Sequence, residues 1–160
     1  MNTIVTLSSQ ILNEILEKKI SFNLAIRSLL KDQKISSIER TEIIKCVGCS
    51  LRHYYVFSYL SEKTFGSLDV NSLTLVLLYF SNRLFIKSVS IEEMSQILIE
   101  AISKLTRFKN RDVAQIVAEI DVNTENLIPS EISKESLDYL SYRFNTPLWI
   151  VKMWTKHFGE

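Results

Sequence analysis

Two cysteines, Cys46 and Cys49, stand in C-x-x-C spacing, and His53 follows on the same stretch. That spacing can supply half of a zinc site or a dithiol redox pair. Zinc needs about two further ligands, and the 2 histidines, His53 and His157, lie in different segments with no second paired spacing. A redox pair belongs at a strand-to-helix junction, whereas this one falls inside a helical pattern. The favoured reading is two small thiols packed in a helix of a cytosolic protein. His53 could act as a general base, but no nucleophile or orienting carboxylate is placed to support it; it reads as a surface or interhelical histidine. There is no glycine-rich phosphate loop, no G-x-G-x-x-G and no H-E-x-x-H. The chain itself is therefore expected not to be an enzyme and to carry no metal or cofactor.

Charge and aromatic residues offer other chemistry. Lys104, Arg107, Lys109 and Arg111 put four cations within eight residues, with Phe108 among them. On charge alone they read as cations placed favourably at a helix C-terminus, worth about 0.3–1 kcal/mol each. The sharper alternative is a phosphate-binding edge with an aromatic available for stacking. Near the end of the chain, Thr146 can cap a helix, Pro147 suits its first position, and Trp149 and Trp154 follow. The two tryptophans are expected to pack that helix.

Composition sets the frame for these groups. In 160 residues, 46% are hydrophobic and 23% charged, as in globular proteins, with 3 glycines and 2 prolines, too few for a turn-rich β fold. A net charge of +1 provides no overall field toward nucleic acid, so any basic surface is local. No signal peptide is evident. The most apolar stretch, residues 73–85, is interrupted by Thr74, Ser81, Asn82 and Arg83 and is too short for a bilayer. A cytoplasmic protein without a membrane partner is expected.

Apolar spacing of three and four runs almost throughout. Ile4, Ile11, Leu12, Ile15 and Leu16 mark a first helix; Ser21 caps a second carrying Phe22, Ala25, Ile26, Leu29 and Leu30. Ser36 and Glu39 have capping-box spacing before a stripe running to about Leu60 over Gly48. That glycine suggests either close approach of a neighbouring helix or a kink. Asp69 caps a helix whose apolar residues, Leu73 to Phe85, point all the way round, the mark of a surrounded core element. Ser90 and Glu93 form a second capping-box pair, residues 106–110 a turn, and Val113, Ile116, Val117 and Ile120 a sixth helix. Periodicity stops between residues 121 and 132, and two more helices follow. The expected fold is all-α: a compact helical bundle over residues 1–120, then an arm and two C-terminal helices over 121–160.

Several stretches resemble the NusB-like RNA-binding domain at the N-terminus of the Sun/RsmB family of 16S rRNA (cytosine-C5) methyltransferases. They are "ISFNLAIRSLL", "ISSIERTEIIKCVGCSLRHYYVFSYL", "SLTLVLLYFSNRLFIKSVS" and "EEMSQILIEAISKL", covering residues 20–30, 35–60, 72–90 and 92–105. The most discriminating is "LSYRFNTPLWIVKMWTKHFGE" at 140–160, similar to the family's connector between RNA-binding and catalytic domains. The family's "GVLR" box reads Cys49-Ser50-Leu51-Arg52 here, with Gly48 one place early. A later "NAVLR"-type box is replaced by "AQIVAEID", and Thr146 stands where histidine is common.

The resemblance implies an RNA-binding domain that holds rRNA through backbone contacts for a separate catalytic domain. S-adenosylmethionine would bind only in that missing domain, and the segment from 121 would lead towards it. Arg52 carries over as the first RNA-binding residue, its alternative being a salt bridge to a neighbouring helix. Lys104, Arg107, Lys109 and Arg111 form the secondary set. rRNA and the catalytic domain are the implied partners, DNA is not, and a homodimer or another protein partner stays open. Two rival functions remain: a NusB-type transcription antitermination factor, and a helical protein-interaction module docking through Trp149 and Trp154.

Overall fold

The structure is a computed structural model that describes residues 2–109 and 111–159. It is all-α, with no strand among the described residues. Helices α1 (Thr3–Lys18), α2 (Phe22–Leu30) and α3 (Ser37–Arg52) are each opened by a polar side chain, from Asn2, Ser21 and Ser36. These caps accept otherwise unpaired N–H groups of the first turn. Ser36 and Glu39 complete both halves of their capping box. The Arg40 guanidinium of α3 donates to the Leu30 carbonyl (2.7 Å), closing the C-terminal end of α2.

The stripe expected to run to Leu60 as one helix is broken at His53, where φ −112° and ψ 19° separate α3 from α4 (Tyr54–Phe65). Gly48 causes no kink, since α3 runs through it, and no atom lies within 4 Å of where its Cβ would be. Close approach by a neighbouring helix is therefore not its role. Its missing side chain leaves open space on the face of α3.

Helix α5 (Val70–Ser81), capped by Asp69, is the central element as its all-round apolarity predicts. It packs against α1, α3, α4 and α6. Val76, Leu77, Tyr79 and Phe80 are almost wholly buried, each such side chain contributing about 1.5–3 kcal/mol by leaving water. Its buried hydroxyls are paired: Ser81 with Ser50 of α3 (2.7 Å), Thr74 with Ser9 of α1 (3.1 Å). After Ser81 the chain widens into a π turn over Asn82–Ile86. Asn82 is buried, and its amide both donates to the Val89 carbonyl (2.6 Å) and accepts from the Val89 N–H (3.0 Å). The wider turn re-aims Phe85, expected in the core, and leaves it 39% exposed.

Helix α6 (Ile91–Ser103) is capped by Ser90. Glu93 does not complete the expected box; its carboxylate accepts from Asn2 (3.4 Å) instead. A 3-10 turn over Thr106–Phe108 leads to α7 (Val113–Ala118); Asn110 of the expected turn lies outside the described residues. The arm after residue 120 has no helix before α8 (Leu137–Phe144), yet Val122, Leu127 and Ile128 rest on the core. Among the described residues no helix is long and apolar enough to cross a membrane.

The last helix, α9 (Leu148–Phe158), starts one residue later than expected, with Pro147 at its cap position. Thr146 does not cap it. Its hydroxyl turns back to the Phe144 carbonyl (3.1 Å), and its backbone is held by Ser141 through bonds of 2.6 and 3.0 Å. Nor do the tryptophans pack α9: Trp149 is 66% exposed and Trp154 48%, and the residue α9 buries is Val151.

What ties α8 to the body is Asn145. It adopts the left-handed conformation (φ 47°, ψ 46°) that ends α8. From there its amide donates to the Leu51 carbonyl (2.8 Å) and accepts from the Tyr55 N–H (3.1 Å). Those are backbone groups that the break at His53 leaves open. Asn145→Ala removes both bonds and places alanine at a positive φ, so it should cost about 2–4 kcal/mol. Chemical denaturation measures that loss. Hydrogen exchange should show α8 and α9 losing protection first while α5 keeps its own; unchanged protection in α8 would refute the role assigned to Asn145.

Candidate nucleic-acid interface

The residues singled out from the sequence fall at two ends of α4. Arg52 closes α3 just before it, and Arg107 lies beside Gly66 just after it, the guanidinium 3.7 Å from where a Gly66 Cβ would be. Helix α4 has 12 residues, roughly 18 Å of axis. Arg52 and the 104–111 cluster are thus separate surfaces.

The cluster is less suited to RNA than its sequence suggests. Phe108 is only 3% exposed and meets Phe65 edge-on at 6.3 Å, so it is a core residue and not a stacking platform. Arg107 and Arg111 lie over its ring at 5.1 and 5.8 Å, contacts worth about 0.5–1 kcal/mol each at an exposed site. Arg111 also borders a groove of about 820 Å³ under the arm, which Glu119, Asp121, Glu125 and Glu131 line as well. Lys63 and Lys134 line it too, Lys63 paired with Glu131, so the cations of this groove are matched by carboxylates and not free for a phosphate backbone. Lys104 and Lys109 are exposed.

Arg52 stands differently. It is exposed and, among the described residues, makes no ion pair or side-chain hydrogen bond, so the expected alternative of an interhelical salt bridge is not formed. It edges a hollow of about 410 Å³ between α2, α3 and the π turn. Phe22 supplies one wall, His53 and Phe85 another, and Gly48 leaves the α3 side open. Lys45 also borders the hollow, paired with Glu42 at 2.8 Å. No carboxylate among the described residues lines it. Sequence reasoning missed Phe22, Lys45, Gly48 and Phe85 as site residues. The one available signal was a glycine inside a helix, which disfavours it by roughly 1 kcal/mol against alanine.

His53 and Phe85 stack face to face, ring centres 4.7 Å apart and planes 3° from parallel. Burial lowers the imidazole pKa below its ordinary 6.5, and the neighbouring Arg52 charge adds to that. His53 is therefore a neutral ring in contact with aromatic neighbours, in keeping with the interhelical reading. The thiols are buried and reduced, and burial pushes both pKa values up, most directly opposed by Ser88 at Cys46 and by Ser81 at Cys49. Neither is an activated nucleophile. No group of three or more potential metal ligands occurs among the described residues. Comparison with family models, with curated proteins and with solved structures finds no match for this chain.

The lowered His53 pKa makes stability depend on pH. Between the folded value and 6.5 the unfolded chain binds more protons than the folded one, so stability rises with pH through that window. Denaturant midpoints should be level between about pH 7 and 8 and fall as the pH drops below about 6.5. His53→Gln should flatten the part of that slope above pH 5, where carboxylates contribute little. An unchanged slope would show that His53 is not held neutral.

Proposed function

We propose that this chain is an RNA-binding, NusB-like domain of an rRNA (cytosine-C5) methyltransferase, holding RNA for a separate catalytic domain. The observation that carries the RNA contact is Arg52: a guanidinium unpaired among the described residues, at the edge of an aromatic-walled hollow and at the position that the sequence resemblance marks. Phosphate contacts come from Arg52 first, with Lys104 and Lys109 as the freer members of the second set. Such contacts hold and orient RNA without reading its sequence.

In this proposal S-adenosylmethionine is bound by the separate catalytic domain. Gly48 is within a helix and Gly66 and Gly159 end helices, and no strand presents a glycine-rich turn among the described residues. Methyl transfer in this proposal belongs to a separate catalytic domain. A second reading, the protein-interaction module, is favoured by an apolar groove between α8 and α9, where Phe144, Trp154 and Phe158 are exposed, Phe158 by 83%, with Trp149 exposed on the opposite side of α9. Contiguous exposed aromatics of this kind mark interfaces.

The readings separate on salt. Fluorescence anisotropy with a structured rRNA fragment should give a Kd of about 10⁻⁴ to 10⁻⁶ M, weakening steeply with added salt as counterions are released. Arg52→Ala should weaken binding, lower the slope of log K against log salt by about 1, and leave the melting temperature unchanged. Replacing Lys104 and Lys109 by Ala should lower the slope further. If Arg52→Ala lowers the melting temperature and leaves RNA affinity intact, the arginine is structural and the proposal fails. If no RNA binds, the α9 reading takes precedence.

A further inference from the structure

We infer that the hollow beside Arg52 receives one unpaired nucleobase of RNA, the base lying against the His53–Phe85 ring pair while an adjoining phosphate meets the Arg52 guanidinium. This rests on the RNA-binding reading and gives it a ligand at the level of a single nucleotide. The hollow, about 410 Å³, lies within the size range of small-ligand sites. Phe22, His53 and Phe85 give it planar walls, Arg52 is unpaired among the described residues while Lys45 is held by Glu42, and no carboxylate among them lines it. A planar group carrying a neighbouring negative charge complements all three features. A paired base does not, because a duplex turns its phosphates outward and keeps its base faces stacked inside; aromatic platforms take bases that are splayed out.

Two details sharpen the assignment. His53 and Phe85 are already parallel at 4.7 Å, so an entering base extends an existing stack. Phe85 is positioned for this by the π turn and by the buried Asn82–Val89 bonds. Gly48 supplies the depth: nothing lies within 4 Å of its would-be Cβ. Polar groups available to base edges are scarce, the neutral imidazole offering one donor and one acceptor. The hollow should therefore accept purines and pyrimidines with little preference.

Three RNA duplexes of about 16 base pairs, the span of one double-stranded contact, test this by anisotropy at one salt concentration. One is fully paired, one carries a single bulged adenosine, and one has an abasic residue at the bulge. The wild-type chain should bind the bulged duplex about tenfold or more tighter than the paired one, in line with one stacked base. The abasic residue should abolish most of that advantage, and a fourth duplex with a bulged uridine should keep it. Gly48→Leu has room for its Cβ and reaches on into the hollow, and should remove the advantage without lowering the melting temperature. Phe85→Leu, which keeps apolar volume but loses the ring, should do the same if the leucine variant folds poorly. Salt-sensitive binding that is equal for all three duplexes, or unaffected by both variants, overturns the nucleobase site and leaves the RNA-binding reading standing. Absence of binding to any duplex overturns both.

Discussion

Everything distinctive in this molecule depends on a helix that stops one residue short of being continuous. At His53 the line of α3 and α4 breaks, opening the Leu51 carbonyl and the Tyr55 N–H, and the Asn145 amide satisfies both. Orphaned backbone groups in a partly buried site cost about 1–3 kcal/mol each, so the break and the docking of α8 stabilise each other. The same break leaves Arg52 as the last residue of α3 and turns His53 toward Phe85. A continuous helix would leave Asn145 without these two partners.

A second asparagine performs the matching task on the other wall. Asn82 is buried in the π turn and pairs both polar groups of Val89, which lets the chain reverse after α5 without losing hydrogen bonds. The widened turn sends Phe85 outward. Two side-chain amides, Asn145 at the α3–α4 break and Asn82 in the π turn, thereby hold the half-buried His53 and the exposed Phe85 on a body built around α5. The electrostatics favour the same place. The larger groove under the arm is lined by four carboxylates, and the 104–111 cations are partly engaged over Phe108. Arg52 meets neither obstacle.

The all-α class, the caps at Ser21, Ser36 and Asp69 and the centrality of α5 were legible in the sequence, because each rests on local spacing or on uniform apolarity. The break at His53 was not. Its stripe of apolar residues is continuous, and the group that compensates for the break lies 90 residues away at Asn145. The π turn was hidden for the same reason, since Asn82 inside an apolar run looks like an interruption until Val89 is seen beside it. Gly48 was noticed but given the wrong task. A glycine within a helix signals that something needs its missing Cβ, and only the surroundings reveal whether that is a neighbour or open space. Phe108 looked available because cations surround it in sequence, while its burial against Phe65 is a tertiary fact.

The account stands or falls on where RNA touches the protein. A bulged RNA duplex with 4-thiouridine as the bulged residue can be photocrosslinked to the wild-type chain and the adducts mapped by mass spectrometry. The account predicts adducts on Phe85 and His53 or on their immediate neighbours in the hollow. Adducts confined to Trp149 and Trp154 of α9, or to the 104–109 loop, would contradict it.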